Sequence, residues 1–254
     1  MKRIQDTKIV DINWLNSANF VITVEFDTDI ERIDAGNFAE IKVPDSPDVF
    51  LRRPISILDV DYEKKTMSFY IKAIGKGTNK IGNLDIGSTL NLIYPLGNSF
   101  SPIENSKVLF IGGGSGIAPF KLLGEKLVSM NNEVFYLLGA RSKEEIFLTE
   151  EFGKYGKVNV TTEDGSMGEK GLVTQHSVFD KIEEFDFIYT CGPDPMMKAV
   201  ADIAEKNNIT CEASLENMMA CGIGACLCCV TPTVRGNECV CTEGPVFNTK
   251  ELKW

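Results

Sequence analysis

The sequence predicts an α/β plus β protein of three consecutive units. These are a small antiparallel β-barrel over residues 1–101, a parallel sheet with helices over 102–210, and a short cysteine-rich module over 211–254. Three observations carry this prediction. The first unit holds six short runs rich in Val, Ile and Phe, parted by turn formers and without a long helical period. The second alternates strand-like with helix-like segments. The third contains seven of the eight cysteines, six of them between Cys221 and Cys241.

In the first unit the strand candidates are KIVDINWL, NFVITVEF, FAEIKVP, VFLRRPISI, TMSFYIKAI and STLNLIY. Six short strands in succession fit a closed barrel, which leaves no unpaired edge. In the second unit VLFIGG reads as a buried strand. Ala118 to Met130 follows with Leu123, Leu127 and Met130 at helical spacing. Strand EVFYLLGA, a polar helix-like stretch from Lys143 to Phe152, strand KVNVTT, strand FDFIYTCG and a helix from Asp194 to Lys206 complete it. Strand–helix alternation of this kind makes a parallel sheet with helices on its faces.

Between VLFIGG and the first helix lie Gly112, Gly113, Gly114 and Gly116. Glycines at a strand-to-helix turn let a pyrophosphate approach the backbone. One glycine would suffice for the turn alone. A second small turn, Cys191-Gly192-Pro193, precedes the last helix, and ligands of open α/β sheets sit beyond such strand ends. Cys191 reads as a pocket residue or as a buried small one. The acid expected about 20 residues after the glycines is not evident, and Arg141 ends the second strand, so NAD and NADP both stay open.

The third unit has little periodicity and reads as too small to bury a core of its own, so it needs a staple. Its cysteines run Cys221-x4-Cys226-x2-Cys229, with Cys239 and Cys241 beyond. The first three match the plant-type spacing for a 2Fe–2S cluster. Gly222, Gly224 and Ala225 are small enough for the backbone to wrap the sulfurs and aim N–H groups at them. Structural zinc is the competing use of four thiolates, but its two tight pairs are not evident here. Both Cys239 and Cys241 are available as the fourth ligand.

Formal net charge is −10, which disfavours nucleic acid as a partner. The N-terminus shows neither a signal peptide nor a membrane span, so a cytoplasmic protein with reduced thiols is expected. The lone histidine, His176, reads as a surface or loop residue and supports no hydrolytic triad.

Barrel, nucleotide sheet and their turns together resemble the ferredoxin–NADP reductase superfamily. The ordered set LRRPISI, GKGT, GGGSGIAPF, EDGSMGEKG, CGPDPMM and SLENMMACGIGACLCC…CTEGPVF is similar to the electron-transfer subunits of NAD-dependent dihydroorotate dehydrogenases. That resemblance implies FAD on the barrel, held by Arg53, Pro54, Ile55 and Ser56, by Tyr70, Ile71 and Lys72, and by Gly77 and Thr78. It implies NAD at Gly112, Gly113, Gly114, Gly116, Cys191 and Gly192, and a 2Fe–2S cluster on Cys221, Cys226, Cys229 and Cys241. Cys228 stands where the family commonly has glycine. It further implies a separate FMN-containing catalytic subunit that oxidises dihydroorotate, in a hetero-oligomer of two plus two. Met218, Met219 and Ile223 flank the ligands, and apolar contact at that interface and core packing are both open to them. No residue of this chain is then expected to be catalytic in its own right. The same parts would also serve the small subunit of an NAD(P)H–ferredoxin transhydrogenase, a sulfide dehydrogenase or a hydrogenase. A zinc-stabilised nucleotide-binding module is the non-enzymatic alternative.

Overall fold

The computed structural model describes all 254 residues. Its first unit comprises β1 (Arg3–Trp14), β2 (Asn19–Glu25), β3 (Phe38–Ile41), β4 (Arg53–Asp61), β5 (Thr66–Lys72), α1 (Lys76–Gly82) and β6 (Thr89–Leu96). The strands close a barrel in the order β1-β2-β5-β4-β3-β6, and every pairing is antiparallel. Alternation sets the inward face. Phe20, Ile22 and Val24 of β2 and Leu90, Leu92 and Tyr94 of β6 are fully buried while their neighbours are less so. Burial of each large apolar side chain contributes about 1.5–3 kcal/mol relative to exposure.

The second unit comprises β7 (Lys107–Gly113), α2 (Phe120–Ser129), β8 (Glu133–Ala140), α3 (Thr149–Gly153), β9 (Lys157–Thr162), β10 (Glu169–Lys170), β11 (Phe187–Cys191), α4 (Asp194–Lys206) and β12 (Thr210–Ser214). A 3-10 turn, Gly114–Ile117, leads into α2. In α2, Phe120, Leu123 and Leu127 repeat at three- and four-residue spacing and bury one face. In α4, Asp194 and Pro195 open the first turn, Lys206 closes the last, and Met197, Val200, Ala201 and Ala204 pack inward. The expected helix over Lys143 to Phe152 is instead a 3-10 turn, Lys143–Glu145, followed by α3. Between them Ile146, Phe147 and Leu148 all pack on the core. Three consecutive apolar residues cannot share one helical face, and Leu148 turns the chain at φ 60°.

The last unit comprises β13 (Val230–Thr233), β14 (Gly236–Cys239) and β15 (Val246–Asn248). β13 and β14 form a hairpin, whereas β15 pairs antiparallel with β12. The sheet order is β10-β9-β8-β7-β11-β12-β15, parallel apart from that last pair. The sequence of the tail reads as too small for a core of its own. It obtains one by sharing: Leu215, Met219, Cys229, Val240, Cys241 and Phe247 are buried together with Phe38 and Leu96 of the barrel and Met197 of α4.

The barrel also packs on α2, where Lys121 Nζ lies 2.7 Å from Asp59 Oδ2. His176 does lie in a loop, but it is buried rather than on the surface. Its Nδ1 accepts the Val178 N–H at 3.0 Å, and burial lowers its pKa. No helix is long and apolar enough to cross a membrane.

Candidate functional site

Three candidate sites lie along one path through the molecule. The first is on the barrel. β4 and β5 are neighbours, with Ile57 opposite Phe69, so Arg53–Ser56 run alongside Tyr70–Lys72. α1 begins just beyond β5. A Cβ built on Gly77 would lie 2.5 Å from Arg53 Nε, so the glycine lets the guanidinium lie against the GKGT turn. Arg53 Nη1 donates to the Arg52 carbonyl at 3.0 Å. Arg52 serves the barrel instead, donating to the carbonyls of Glu40 and Asn91 at 3.1 and 3.0 Å. Thr78 Oγ1 accepts the Gly75 N–H at 3.2 Å. Tyr70 is buried, its hydroxyl donates to Asn19 Oδ1 at 3.1 Å, and burial raises its pKa. Ile71 is buried in the barrel core, so its backbone rather than its side chain is what it offers a ligand.

The second site is the crevice at the carboxyl end of the parallel sheet. Strand order reverses between β7 and β11, whose ends meet at Gly112 and Cys191. The four glycines divide by role. A Cβ on Gly116 would lie 2.6 Å from the Cys191 carbonyl oxygen, and one on Gly112 would lie 2.5 Å from Ile117 Cγ2. These two allow the turns to pack. Gly113 and Gly114 line a cleft of about 470 Å³, and Gly114 has φ 56° with open space where a side chain would stand. Gly192 (φ 149°) packs on Gly113, and Cys191 is buried outside the cleft with its thiol pKa raised well up by burial.

Arg141, which ends the second strand, lines the cleft, and so do residues that the sequence did not mark for it: Glu145, Thr161, Glu163, Thr174, Met196 and, from the barrel, Lys72. Lys72 Nζ meets Glu145 Oε1 at 2.9 Å, and this bond holds the carboxyl pKa down. Glu163 follows β9, a full strand–helix unit beyond the position at which the spacing rule expects an acid.

The third site is the cysteine loop. Gly222, Gly224 and Leu227 have positive φ (65°, 82° and 58°), which curls the segment between Cys221 and Cys229. Backbone N–H groups face the sulfurs. Ile223 donates to Cys221 Sγ at 3.5 Å, Gly224 to Cys241 Sγ at 3.1 Å, and Cys241 to Cys229 Sγ at 3.4 Å. Cys221 neighbours Cys226, and Cys229 neighbours both Cys241 and Cys239. Burial pushes Cys221 up, but N–H groups of Ile223, Cys226 and Ala225 outweigh it and bring the thiol down to about 6. Burial, then the Cys229 thiol, pushes Cys241 up to about 12. No three thiols converge as one zinc ion would need. Thiols at both ends of the loop, with N–H groups aimed at sulfur, fit a two-iron cluster.

The loop is fastened to the barrel. Asn98, just after β6, donates to the carbonyls of Glu243 and Val246 at 2.7 and 2.8 Å and accepts the Val246 N–H at 2.9 Å. A Cβ on Gly222 would lie 2.7 Å from Glu40 Cγ of β3 and 3.0 Å from Leu96 Cδ1 of β6. Around the thiols Met218, Ile223 and Leu227 are 84%, 50% and 64% exposed, while Met219 is buried.

Comparison with known proteins agrees with this geometry. Residues 216–253 match the iron–sulfur cluster binding domain of dihydroorotate dehydrogenase B, and residues 110–202 match the oxidoreductase NAD-binding domain. The dihydroorotate dehydrogenase B (NAD(+)) electron transfer subunit of Caldanaerobacter subterraneus subsp. tengcongensis is 42% identical over 207 residues, 80% of this chain and 81% of that one. The corresponding subunit of Listeria monocytogenes is 36% identical over 100% of this chain and 98% of its own. Among solved structures, an NADH-dependent reduced ferredoxin–NADP oxidoreductase chain superposes with a TM-score of 0.88 at 28% identity, covering 98% of this chain and 90% of that one. A ferredoxin reductase of carbazole 1,9a-dioxygenase shares the fold at 20% identity (TM-score 0.70; 82% and 67% covered). With a barrel, a nucleotide cleft and a cysteine loop in one order, and with relatives this similar along its length, the chain belongs to the family of dihydroorotate dehydrogenase B (NAD(+)) electron transfer subunits.

Proposed function

We propose that this chain carries electrons between a partner catalytic subunit that oxidises dihydroorotate and NAD, by way of a 2Fe–2S cluster and FAD. The observation that carries this reading is the position of β3. Its register pairs Phe38, Ala39, Glu40 and Ile41 with Ser56, Ile55, Pro54 and Arg53, the four residues implied to hold the flavin. The cysteine loop rests on Glu40 of that same strand, and Lys72 on the other side of the flavin strands reaches the nucleotide cleft. Cluster, flavin and nicotinamide sites therefore stand in sequence across a few strands.

The flavin, when bound, supplies the exchange between a hydride pair and single electrons. The chain's own residues position and insulate. Arg53 offers a charged donor for phosphate beside Gly77. Ser56 and the backbone of Tyr70 to Lys72 border the ring site. Gly113 and Gly114 admit the nicotinamide nucleotide. Cys221, Cys226, Cys229 and Cys241 hold the cluster, and Ile223, Gly224 and Cys241 donate N–H groups that steady the sulfurs. Exposed Met218, Ile223 and Leu227 form the contact with the FMN-containing partner, in a complex of two plus two.

Anaerobic co-purification with that partner tests the reading. The complex is expected to contain FAD, FMN, iron and acid-labile sulfide, and NADH is expected to bleach both flavin and cluster bands. A colourless, zinc-containing chain would overturn it. The likeness to the ferredoxin–NADP oxidoreductase chain favours a second reading, a small subunit of a transhydrogenase. Recovery of a large ferredoxin-coupled subunit in place of the FMN subunit would select it.

A further inference from the structure

The parallel sheet carries a second cavity, of about 360 Å³, at the opposite end of its strands from the nucleotide cleft. Lys107 and Lys157, the first residues of β7 and β9, line it, whereas Gly113 and Thr161 of the same strands line the cleft. The two linings share no residue. Phe135 stands opposite Lys157, and Asn159 follows two residues on, so all three lie on one face of the sheet. The segment Ser177–Glu184 covers that face, with Ile182 packed beside Leu137. It kinks at Lys181, where φ is −132° and the helical path breaks. Phe185 follows and meets Phe135 edge-on, ring centroids 5.3 Å apart. The cavity thus combines an aromatic wall, an amide and three lysines. Lys107 is already engaged: its Nζ lies 5.0 and 5.1 Å from the two ring centroids and 2.6 Å from Glu184 Oε2. Glu184 is the one carboxylate in the lining. Glu169, just outside, accepts the Ser177 N–H at 2.8 Å and lies 3.4 Å from His176 Nε2. Lys157 and Lys181 are left without an ion pair, on a chain of net charge −10.

We propose that this cavity binds a small phosphomonoester, its phosphate held by Lys157 and Lys181 and its body set against Phe135 and Asn159. Charge decides the class. A phosphomonoester carries about −1.5 to −2 at neutral pH, which two unpaired ammonium groups match. A carboxylate, with a single charge, leaves one of them unmet. Lysine binds phosphate as a point charge, and no arginine lines the cavity to grip a carboxylate by two parallel bonds. Asn159 donates its amide N–H to the Tyr136 carbonyl at 3.2 Å, which leaves its amide oxygen for a hydroxyl or N–H of the ligand. The volume stands near the lower end of the range for small-molecule sites, roughly 300–1,000 Å³, so the ligand's body is small.

Calorimetric titration of the FAD-loaded full chain with phenyl phosphate tests this, with NAD in excess so that the nucleotide cleft is filled. Saturable binding at one site per chain is expected, with a Kd of ~1 mM or tighter. Inorganic phosphate has the charge without the body, and benzoate has the body with a single charge. Each is expected to bind at least about tenfold more weakly than phenyl phosphate. K157A/K181A is expected to weaken phenyl phosphate at least about tenfold while keeping native FAD content. K64A/K154A removes two exposed lysines elsewhere and is expected to bind as the native chain does. Absence of saturable binding to the native chain below ~10 mM overturns the proposal, and so does native affinity in K157A/K181A. An equal loss in K64A/K154A also overturns it, since net charge alone would then govern binding. Benzoate as tight as phenyl phosphate would sink the phosphate, and inorganic phosphate as tight would sink the ester; either result ends the proposal.

Discussion

At the residue scale, Glu40 shows what burial does to a charge beside a redox centre. It is fully buried on β3 against Gly222, and neither carboxyl oxygen has a hydrogen-bond partner in the chain. Burial raises its pKa to about 7; Arg52 opposes the rise and Cys221 adds to it. A carboxyl with a raised pKa in the folded state favours folding where it is protonated. That contribution is complete below the ordinary value of 4.5 and is lost as pH rises through about 7. The native chain is therefore expected to lose on the order of 3 kcal/mol between pH 5 and 8 from this group. Melting curves at several pH values should show a flatter profile for Glu40→Gln. Two glycines supply a second residue-scale contrast. Gly116→Ala drives a Cβ into the Cys191 carbonyl and should destabilise by about 1–3 kcal/mol. Gly114→Ala meets no atom but is strained at positive φ, so it should cost about 1 kcal/mol and raise the KM for NADH. Denaturant melts and initial-rate kinetics on both variants separate packing from ligand approach. Arg53→Ala should weaken FAD binding by roughly ten- to a hundredfold, the value of a hydrogen bond to a charged group, read by FAD retained per chain.

At the scale of elements, Asn98 is the fastener between β6 and β15. Its side chain makes three hydrogen bonds to the segment Glu243–Val246. Asn98→Ala leaves those backbone groups unpaired and should cost about 3 kcal/mol, at roughly 1 kcal/mol for each bond. Because the cysteine loop hangs from this joint, the variant should also lose its cluster sooner on warming than it loses FAD, as absorbance followed at cluster and flavin wavelengths would show. Nothing in the sequence around Asn98 marks that role, because its partners lie some 145 residues away. The elements with strong local signals were legible. The alternation in β2 and β6, the spacing in α2 and the proline and acid that open α4 each follow from side-chain periodicity or capping. The stretch after Lys143 was not legible, because its polar residues favour helix while Ile146 to Leu148 are drawn into the core together. The acid in the nucleotide cleft is not legible for a related reason: a rule of fixed distance along the chain does not mark Glu163, which reaches the crevice from the end of β9 by sheet order.

At the scale of the whole molecule, the tail that reads as a separate module is built into both other units. β15 extends the parallel sheet, and Met219, Val240 and Phe247 share a core with Phe38, Leu96 and Met197. Spacing alone marks Cys221, Cys226 and Cys229 and leaves Cys239 and Cys241 open as the fourth; the tail's attachment is not legible at all, since Val246–Asn248 is too short to announce a strand. Attachment buries one side of the cysteine loop and leaves the other bare. Met218, Ile223 and Leu227 then stand exposed around Cys226, which is itself exposed, on a protein of net charge −10. Apolar side chains kept in water beside a redox centre cost solubility unless a partner covers them, and interface cores are where Met and large apolar groups concentrate. None of the three side chains touches the nucleotide cleft. Met218→Asp should therefore leave FAD content and NADH reduction of the isolated chain unchanged while weakening association with the partner catalytic subunit by about thirtyfold or more, the scale of a buried hot spot. Sedimentation or calorimetric titration of the two subunits would measure it. Unchanged association, with the cluster intact, would place the partner on another face and with it the port through which electrons enter.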